Sequence, residues 1–402
     1  MNFFKGGHMF KKSKCFFSSD VQSISPEISA EFDRDKLASA LLSVSAAQID
    51  PDIGWVQLSF SGGKKVVISS ISHNLAIKCE IETPYTGQGV IKVSGKQFSD
   101  YVKQLPSTKV YLKTDLPSRI QLRCGRSSAK IQLVHDQSQS KIEIPEAGTL
   151  VKIKGSILER WVSSFKDFVS VDDNRFYANG ALIWAEKNSD NVLLLHAVAS
   201  DAIRLAKSSL SEGFQIENLD SSQVLIPRKA LEELKRIATL VTEKEFTLKW
   251  HEKELFFSVE VDEYTMFAKC IAGQYPPYEA AIPQKINTEI QLDLKSIQDS
   301  VKRSLLFADK NKVMNLHFEN SLLTMASSTP GQKEGEEVIE MSASIASPFE
   351  VNYNGSLIMG ILGVLTGMRV QFAWENTTRP VKITGESQRG LEVFYLLVPA
   401  RF

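Results

Sequence analysis

The chain has 402 residues, and its 47 lysines and arginines balance its 47 aspartates and glutamates, so the formal net charge is zero. At roughly 100–200 residues per domain this length predicts two to four domains, and a hydrophobic fraction of 43% with a charged fraction of 23% excludes a disordered chain. The zero net charge excludes attraction of the whole chain to nucleic acid, so such a partner requires basic residues gathered on one face.

The N-terminal residues 1–27 are basic and contain scattered phenylalanines, but they lack the apolar core of a secretory signal, so we expect a disordered extension. The most apolar stretch, residues 357–374, is interrupted by three glycines and Arg369, which predicts a buried helix followed by a strand rather than a membrane span. We therefore expect a cytoplasmic protein with no membrane partner. The four cysteines are far apart and no histidine stands at metal-ligand spacing, so we expect no metal site and no cofactor.

One pattern, a short alternating strand followed by a polar cap and an amphipathic helix, occurs six times along the chain. Two types of this unit alternate, and each type recurs after about 120–140 residues. The repeat predicts three domains with two units each, at residues 28–147, 148–286 and 287–402, behind the extension at residues 1–27. In chain order the six units are residues 30–44, 91–105, 151–165, 224–239, 290–306 and 349–366.

The helices are predicted from their caps and their apolar period. Ser94 is a suitable N-cap in the second unit, and Pro227 suits the first helical position in the fourth. In that fourth unit Leu231, Leu234 and Ile237 recur at helical spacing. Consecutive short strands leave no room for long crossovers, so the fold class is α+β, with antiparallel sheets that carry helices on one face. Alternating runs predict strands at residues 55–60, 65–69, 110–113, 119–124, 246–250, 255–261, 313–318 and 393–398.

No recognisable catalytic motif occurs in the sequence. Residues 61–65 (SGGKK) lack the spacing of a phosphate-binding loop and lie between two predicted strands, which favours a hairpin turn. His196 lies in an apolar run and is more typical of a core histidine than of a catalyst. Adjacent acidic pairs such as Asp172 and Asp173 are typical of solvated loops rather than of metal sites. Nothing in the sequence favours an enzyme.

Basic residues are concentrated on the predicted helices. The ordinary interpretation is a solvated helix face. If equivalent helices of all domains face one way, their charges instead add up to a basic surface that binds phosphate without reading bases. The sequence leaves both interpretations open, and the last predicted helix, within residues 354–366, has no basic residue. The residues concerned are Arg34, Lys36, Lys96, Lys103, Arg160, Lys166, Arg228, Lys229, Lys235, Arg236, Lys302 and Arg303.

Five segments resemble one protein family in the same order along the chain. They are residues 173–180 (DNRFYANG), 198–206 (VASDAIRLA), 226–230 (IPRKA), 274–283 (QYPPYEAAIP) and 396–402 (LLVPARF). With these segments the chain resembles the bacterial sliding clamps, the beta subunits of the DNA polymerase III holoenzyme. The resemblance extends over nearly all of the chain after the N-terminal extension.

The resemblance implies a DNA clamp fold of three pseudo-repeated domains, in which sheets form the outside and helices line a central hole. It implies a head-to-tail homodimer that closes into a ring around double-stranded DNA, and the basic residues named above would face this DNA. The implied role is that of a processivity factor without a catalytic site. Its partners would be the replicative DNA polymerase, the clamp loader and repair proteins.

The resemblance also implies a hydrophobic pocket, between the second and third domains, for a short peptide motif of those partners. Carried over by position, the implied dimer interface joins Ala129 and Ile131 to residues of a partner's third domain, Leu305, Leu306 and Phe307. The implied pocket residues are Ala178, Ser200, Ala202, Ile203, Arg204, Leu205, Pro276, Ala281, Pro380, Leu396, Val398 and Pro399.

Some positions depart from the family pattern. Ala202 and Ile203 replace a usual Gly-His pair, and Ala281 stands where a larger residue is common, so the resemblance does not fix the peptide preference. Two alternatives stay open: a clamp paralogue that acts as a peptide-binding hub without encircling DNA, and an enzyme with a cleft between repeats. A ring with a duplex-sized hole would favour the clamp over the hub, and a convergent His, Asp, Glu or Cys cluster would favour an enzyme.

Overall fold

The protein is described by a computed structural model that divides it into two compact units. The first unit comprises Met1–Gly155, Gln215–Val224 and Arg236–Cys270, and the second comprises Ser156–Phe214, Leu225–Lys235 and Ile271–Phe402. The residues that the structure describes are 14–15, 27–48, 54–106, 108–115, 118–134, 143–144, 148–172, 176–220, 222–329, 333–386 and 388–400. Most of the predicted extension, part of segment 173–180 and the end of segment 396–402 lie outside them.

The described residues form strands, α-helices and three short 3-10 helices. Up to residue 147 they are β1 (Lys14–Cys15), β2 (Ser29–Asp33), α1 (Arg34–Ser45), β3 (Trp55–Phe60), β4 (Lys65–Ile71), β5 (Leu75–Glu82), β6 (Tyr85–Thr86), β7 (Gly89–Ser94), α2 (Gly95–Gln104), β8 (Lys109–Asp115), β9 (Arg119–Cys124), β10 (Ser127–Gln132) and β11 (Glu143–Ile144). From residue 148 to 286 they are β12 (Thr149–Lys154), α3 (Gly155–Ser163), 3-10 helices Lys166–Phe168 and Phe176–Ala178, β13 (Gly180–Lys187), β14 (Leu193–Ser200), β15 (Arg204–Leu210), β16 (Phe214–Asn218), β17 (Gln223–Pro227), α4 (Arg228–Leu240), β18 (Glu245–His251), β19 (Phe256–Val261), β20 (Tyr264–Lys269) and 3-10 helix Tyr278–Ala281. The remainder are β21 (Thr288–Asp293), α5 (Leu294–Ser304), β22 (Val313–Glu319), β23 (Leu322–Thr329), β24 (Lys333–Glu340), β25 (Phe349–Asn354), α6 (Gly355–Leu362), β26 (Arg369–Trp374), β27 (Val381–Gly385) and β28 (Leu391–Leu397).

The six predicted strand–helix units are present, each as a strand that runs directly into a helix. Ser94 caps α2, because its hydroxyl accepts a hydrogen bond from the Gln97 amide. Pro227 was predicted as the first helical residue, but it is the last residue of β17 and α4 begins one residue later. The hairpin predicted at residues 61–65 is confirmed between β3 and β4, where Gly62 has a φ of 90°.

One backbone hydrogen bond recurs at all six helices. It joins the two strand–helix units that make up each predicted domain. The amide of the first helical residue donates to a carbonyl in the turn that follows the other helix of the pair. Each helix therefore has one otherwise unpaired N-terminal amide satisfied by its partner unit. The six bonds are Arg34 to Thr108 (3.1 Å), Gly95 to Gly54 (3.0 Å), Gly155 to Lys244 (2.8 Å), Arg228 to Asn179 (2.9 Å), Leu294 to Met368 (2.8 Å) and Gly355 to Lys312 (2.8 Å).

The strands pair antiparallel wherever their register is described, as expected for an α+β fold. The first unit contains a five-stranded sheet, β10-β9-β8-β2-β6, and a nine-stranded sheet, β16-β12-β18-β19-β20-β5-β4-β3-β7. The second unit contains an eight-stranded sheet, β17-β13-β14-β15-β28-β27-β26-β21, and a four-stranded sheet, β24-β23-β22-β25. Strands from residues 148–286 take part in both large sheets.

The helices bury their apolar faces against the sheets. Phe98 and Val102 of α2 are fully buried, and so are Leu231 and Leu234 of α4. Each such side chain stabilises the fold by about 1.5–3 kcal/mol relative to exposure. At the start of α6 the packing leaves room only for a glycine, because a Cβ on Gly355 would lie 2.2 Å from the sulfur of Met314. Among the described helices, none is both long and apolar enough to cross a membrane.

Candidate functional site

One apolar pocket in the second unit collects most of the predicted peptide-binding residues. It has a volume of about 240 Å3 and lies against β14, β15 and β28. Three tyrosines that the sequence analysis did not single out, Tyr177, Tyr275 and Tyr278, line it as well. Pro399 is absent from the lining, although it directly follows Val398. The predicted residues that line the pocket are Ala178, Ser200, Ala202, Ile203, Arg204, Leu205, Pro276, Ala281, Pro380, Leu396 and Val398.

The floor of the pocket is a buried cluster on the eight-stranded sheet. Trp184, Val198, Leu205 and Leu396 form this cluster, of which Leu205 and Leu396 line the pocket. Leu205 of β15 stands directly opposite Leu396 of β28, so residues almost 200 positions apart share one face of the sheet. Partly buried hydrophobic residues pack against the cluster, among them Tyr275, Tyr278, Ala281, Ile282 and Phe394. The lining of the pocket is therefore mostly apolar, which suits apolar side chains of a ligand.

A tight turn between β14 and β15 forms one wall of the pocket. The Asp201 carboxylate accepts hydrogen bonds from the amides of Ile203 (3.1 Å) and Arg204 (2.9 Å). The Ser200 hydroxyl accepts from the Ala202 amide (3.1 Å) and donates to the Arg204 carbonyl (2.9 Å). These bonds satisfy the backbone of the turn from within and hold its shape.

Arg204 is fixed in place and its charge is compensated inside the protein. Its Nε donates to Asp201 at 2.9 Å and its Nη2 donates to the Asp167 carbonyl at 2.8 Å. Its guanidinium carbon lies 4.7 Å from the ring centre of Phe168. A Cβ on Gly360 would lie 2.6 Å from Nη1 of Arg204, so the glycine makes room for the guanidinium. Arg204 thus supports the turn and leaves the pocket without an uncompensated charge.

Apart from the ion-paired Arg204, the tyrosines of the pocket and the nearby His196 are neutral. Burial raises the pKa of both Tyr275 and Tyr278 well above the usual range, so their hydroxyls keep their protons at physiological pH. Burial lowers the pKa of His196, whose Nδ1 lies 2.8 Å from the Ser209 hydroxyl and whose ring stacks on Trp184. His196 is 5% exposed, which confirms the predicted core histidine.

The end of the described chain is tied to the pocket wall. The Val398 amide donates to the Ile203 carbonyl at 2.9 Å, and the Ala400 amide donates to the Asn352 carbonyl at 2.8 Å. The first bond continues the pairing of β28 with β15 beyond the last strand residue, and the second ties the chain end to β25. Residues 401 and 402 lie outside the described part of the chain. The segment after β28 therefore forms the rim of the pocket beside Ile203.

The basic residues proposed from the sequence to face DNA differ in how strongly the protein itself neutralises them. Ion pairs with acidic side chains hold Arg34 to Asp35, Lys166 to Asp167, Arg228 to Glu232, Lys235 to Glu159, Lys302 to Asp299 and Arg303 to Glu337. Arg236 donates a hydrogen bond to the Ser43 hydroxyl, and Arg160 donates one to the Arg389 carbonyl. Lys96 also interacts with a neighbouring group. Among the described residues, Lys36, Lys103 and Lys229 have no acidic partner within ion-pair distance.

The strands β10 and β24 are each an edge strand, of the five-stranded and the four-stranded sheet respectively. The Leu133 amide donates to the Ser118 carbonyl at 2.8 Å, so by alternation Ala129 and Ile131 bond to β9 and the backbone of Ser128 and Lys130 faces outward. Ile131 is only 5% exposed, because its side chain already packs in its own chain.

The edge of β24 follows the same logic. The Met341 amide donates to the Ser321 carbonyl at 2.8 Å, so the backbone of Glu336 and Val338 faces away from β23. Val338 is 56% exposed. Leu306, two residues after the end of α5, is 68% exposed. Phe307 is 36% exposed, and it packs so closely on β24 that a Cβ on Gly335 would lie 2.4 Å from its ring.

The described residues contain no group of three or more His, Cys, Asp or Glu side chains placed to hold a metal ion. Cys79, Cys124 and Cys270 are free and buried. Burial raises the pKa of the Cys79 thiol to about 12, so it is protonated and unreactive at physiological pH. No convergent catalytic cluster therefore appears in the part of the chain that the structure covers.

Sequence comparison with known families matches two regions of the chain. The "DNA polymerase III beta subunit, central domain" family matches residues 152–277, and the "DNA polymerase III beta subunit, C-terminal domain" family matches residues 279–401. Together the two matches cover more than half of the chain. A beta sliding clamp from Pseudomonas putida is 26% identical over 317 residues, which are 78% of this chain and 81% of the relative.

Solved structures show the same fold. The DNA polymerase III beta subunit of Thermotoga maritima has a TM-score of 0.83 at 20% identity, and the match covers 93% of this chain and 100% of that one. The beta subunit from Pseudomonas aeruginosa has a TM-score of 0.81 at 22% identity with the same coverage. With a clamp fold, six repeated units and matches to both family regions, the chain belongs to the family of the beta subunit of bacterial DNA polymerase III, the beta sliding clamps.

Proposed function

We propose that this protein is a non-enzymatic processivity factor, a sliding clamp that encircles duplex DNA and tethers the replicative polymerase in the bacterial cytoplasm. Membership of the beta-subunit family supports this role over a peptide-binding hub that does not encircle DNA. The observation that carries the proposal is the pattern of sheet junctions. Two strands of the type that forms these junctions, β10 and β24, have no junction partner in the described structure, and we assign them to contacts with a second copy of the chain.

The junctions follow one rule throughout the chain. The third strand after each of the six helices is β5, β10, β15, β20, β24 or β28. Four of these pair antiparallel with one another, β5 with β20 and β15 with β28. The remaining two, β10 and β24, do not pair with each other in the described sheets, and each lies at one edge of its sheet. The rule supports division of the chain into three domains, at residues 28–147, 148–286 and 287–402, joined by such junctions.

We therefore assign β10 of one copy as the partner of β24 of another, in a head-to-tail homodimer. Two copies make two such junctions, and a heterologous contact that closes on itself gives a finite ring. The charges of the two edges support this pairing. Residues 119–132 contain Arg119, Arg123, Arg126 and Lys130 and no acidic residue, whereas β24 contains four glutamates and one lysine. Asp115 already pairs with Arg119 and Lys130, and Arg303 with Glu337, so the complementarity depends on the other charges of the two edges.

Topological retention on DNA tests this function. Loaded onto a nicked circular plasmid by a bacterial clamp loader with ATP, the protein is expected to remain bound through gel filtration and to leave when the plasmid is cut once. A closed ring cannot leave a circle sideways, but it slides off a free end. Equal retention on the circular and the linearised plasmid would contradict the sliding clamp.

The apolar pocket is assigned as the site for the partners' short peptide motif, which contains a glutamine, an aliphatic residue and a terminal Leu-Phe pair. Its carbon walls and neutral tyrosines suit the apolar side chains of such a peptide. At about 25 cal/mol per Å2, a few buried side chains give several kcal/mol before ordering costs, which corresponds to micromolar affinity. Because the Val398 and Ala400 amides are already bonded within the chain, the carbonyl groups beside Val398 are the groups that can accept strand-like hydrogen bonds from an extended peptide.

Binding of DNA through the basic helix residues is expected to be weak, independent of sequence and only moderately sensitive to salt. Lys36, Lys103 and Lys229 have no acidic partner in the described structure, which makes roughly six such lysines in a closed dimer. The logarithm of the binding constant changes by about 0.9 per neutralised phosphate, so its slope against the logarithm of salt should be no steeper than about −5. Fluorescence anisotropy with duplexes of different sequence measures this slope.

Lys229→Ala is expected to weaken binding equally for all duplexes and to reduce this slope by about 1 to 2. Lys253→Ala is the matched control, because Lys253 is an exposed lysine in the turn between β18 and β19, away from the helices. If both variants change the slope equally, the helix lysines are not the DNA contacts.

A further inference from the structure

We propose that Ala202 determines the specificity of the apolar pocket, because a strained turn holds its methyl group against the bound peptide. The inference deepens the proposed function and rests on it, since it gives one pocket residue a role toward that peptide. It concerns which side chains the pocket prefers, and it goes beyond the assignment of the pocket itself.

The backbone of Ala202 lies in the left-handed region, with a φ of 71°. Side chains other than glycine, asparagine and aspartate adopt this region only at a cost in conformational free energy. Six residues other than glycine have a positive φ in the described part of the chain, namely Asn191, Ala202, Leu255, Asp262, Lys312 and Asn320, and three of them are asparagine or aspartate. Of these six, Ala202 alone lines the apolar pocket.

The structure of the turn does not depend on the Ala202 side chain. The bonds that shape the turn run from the Ser200 hydroxyl, the Asp201 carboxylate and backbone groups of residues 202–204. The Val398 amide adds a further bond to the Ile203 carbonyl. A glycine at position 202 could make all of these bonds and would adopt the left-handed conformation freely. The methyl group therefore strains the turn without contributing to its hydrogen bonds.

The position of the methyl group indicates what it does. Ala202 lies in the rim of the pocket between Ser200 and the half-exposed Ile203, and Val398 completes that rim. A peptide side chain that enters over Leu205 passes this rim and covers the methyl group. One methyl group buried in this way contributes about fourfold to affinity. Strain retained at a binding surface, where the surroundings fix it, is typical of a functional position.

The test compares the unmodified protein with Ala202→Gly and Ala202→Ser, using two synthetic peptides. The first peptide contains a glutamine, an aliphatic residue and a terminal Leu-Phe pair, and the second has Ala-Ala in place of Leu-Phe. Ala202→Gly is expected to bind the Leu-Phe peptide about fourfold more weakly and to discriminate less between the two peptides. Its melting temperature should rise by about 1–2 °C, since relief of the left-handed backbone outweighs the added entropy of the unfolded chain.

Ala202→Ser keeps a Cβ at the same place and is expected to retain the affinity and the discrimination. Lys312→Gly is the matched control, because Lys312 is exposed, has a φ of 55° and lies outside the pocket. It should raise the melting temperature and leave both peptide affinities unchanged. Unchanged or tighter binding by Ala202→Gly, or a lower melting temperature, would overturn the inference. If the unmodified protein does not prefer the Leu-Phe peptide, the peptide site itself is refuted and the inference with it.

Discussion

Val338→Pro is expected to separate the proposed dimer into single chains and to abolish retention on circular DNA. The backbone of Val338 faces the open edge of β24, so proline removes an outward amide and leaves the ladder to β23 intact. In the assembly, the lost bond leaves a carbonyl of the other copy unsatisfied, which costs about 2 kcal/mol. Two junctions in a closed ring double this cost, so the dissociation constant of the dimer should rise about a thousandfold.

Light scattering at micromolar concentration measures this change directly. Val338→Thr is the matched control, because threonine keeps the amide and the β-branched shape at the same exposed position. It should leave the mass at two chains. A proline variant that stays dimeric, with unchanged retention on the plasmid, would show that β24 is not the junction strand. The melting temperatures of the two variants are compared at a concentration at which both are single chains. A lower value for Val338→Pro than for Val338→Thr would indicate damage to the sheet itself.

Ala281→Phe is expected to weaken binding of the Leu-Phe peptide by at least a hundredfold. Ala281 lines the apolar pocket and packs on its floor, and a phenyl ring there would occupy much of the 240 Å3 that the peptide needs. Exclusion of two apolar peptide side chains removes about 3 kcal/mol or more of burial. Fluorescence anisotropy with a labelled peptide measures the loss, and the dimer mass should not change.

Ala280→Phe is the control for this substitution. Ala280 is the preceding residue in the same 3-10 helix, but it is exposed and does not line the pocket. The control variant should bind the peptide as the unmodified protein does. Deletion of residues 398–402, which removes Val398 from the pocket rim, should also abolish peptide binding. Deletion of residues 401 and 402 alone keeps Val398 and so measures the contribution of the chain end by itself. Equal affinities of Ala281→Phe and Ala280→Phe would refute the pocket assignment.

The strand–helix units were predictable because they depend on local features. The period of Leu231, Leu234 and Ile237 and the cap at Ser94 are properties of neighbouring residues, and both appear in the structure. Pro227 shows the limit of local rules, since a proline before a helix is compatible with the cap position as well as with the first turn. The junctions between sheets were not predicted, because strand order depends on contacts between distant segments.

The pocket was predictable only through resemblance, since its wall residues come from segments far apart in sequence. Tyr275 and Tyr278 were missed as lining residues, although they lie in the recognised segment 274–283, because aromatic residues there suit either core or surface. Arg303 shows a further limit. Its ion pair with Glu337 of a neighbouring strand, at 2.6 Å, cannot be read from its position on a basic helix.

The recurring bond at the first helical residue bears on the origin of the chain. Within each pair, α1 bonds to the turn after α2 and α2 to the turn after α1, which is the reciprocity of two identical subunits related by a twofold axis. Three such pairs in one chain are the pattern expected from duplication and fusion of a gene for one self-pairing unit. The bond joins backbone groups, so it places no demand on side chains. Glycine, arginine and leucine occupy this position in different helices, so the same geometry recurs without a shared side chain.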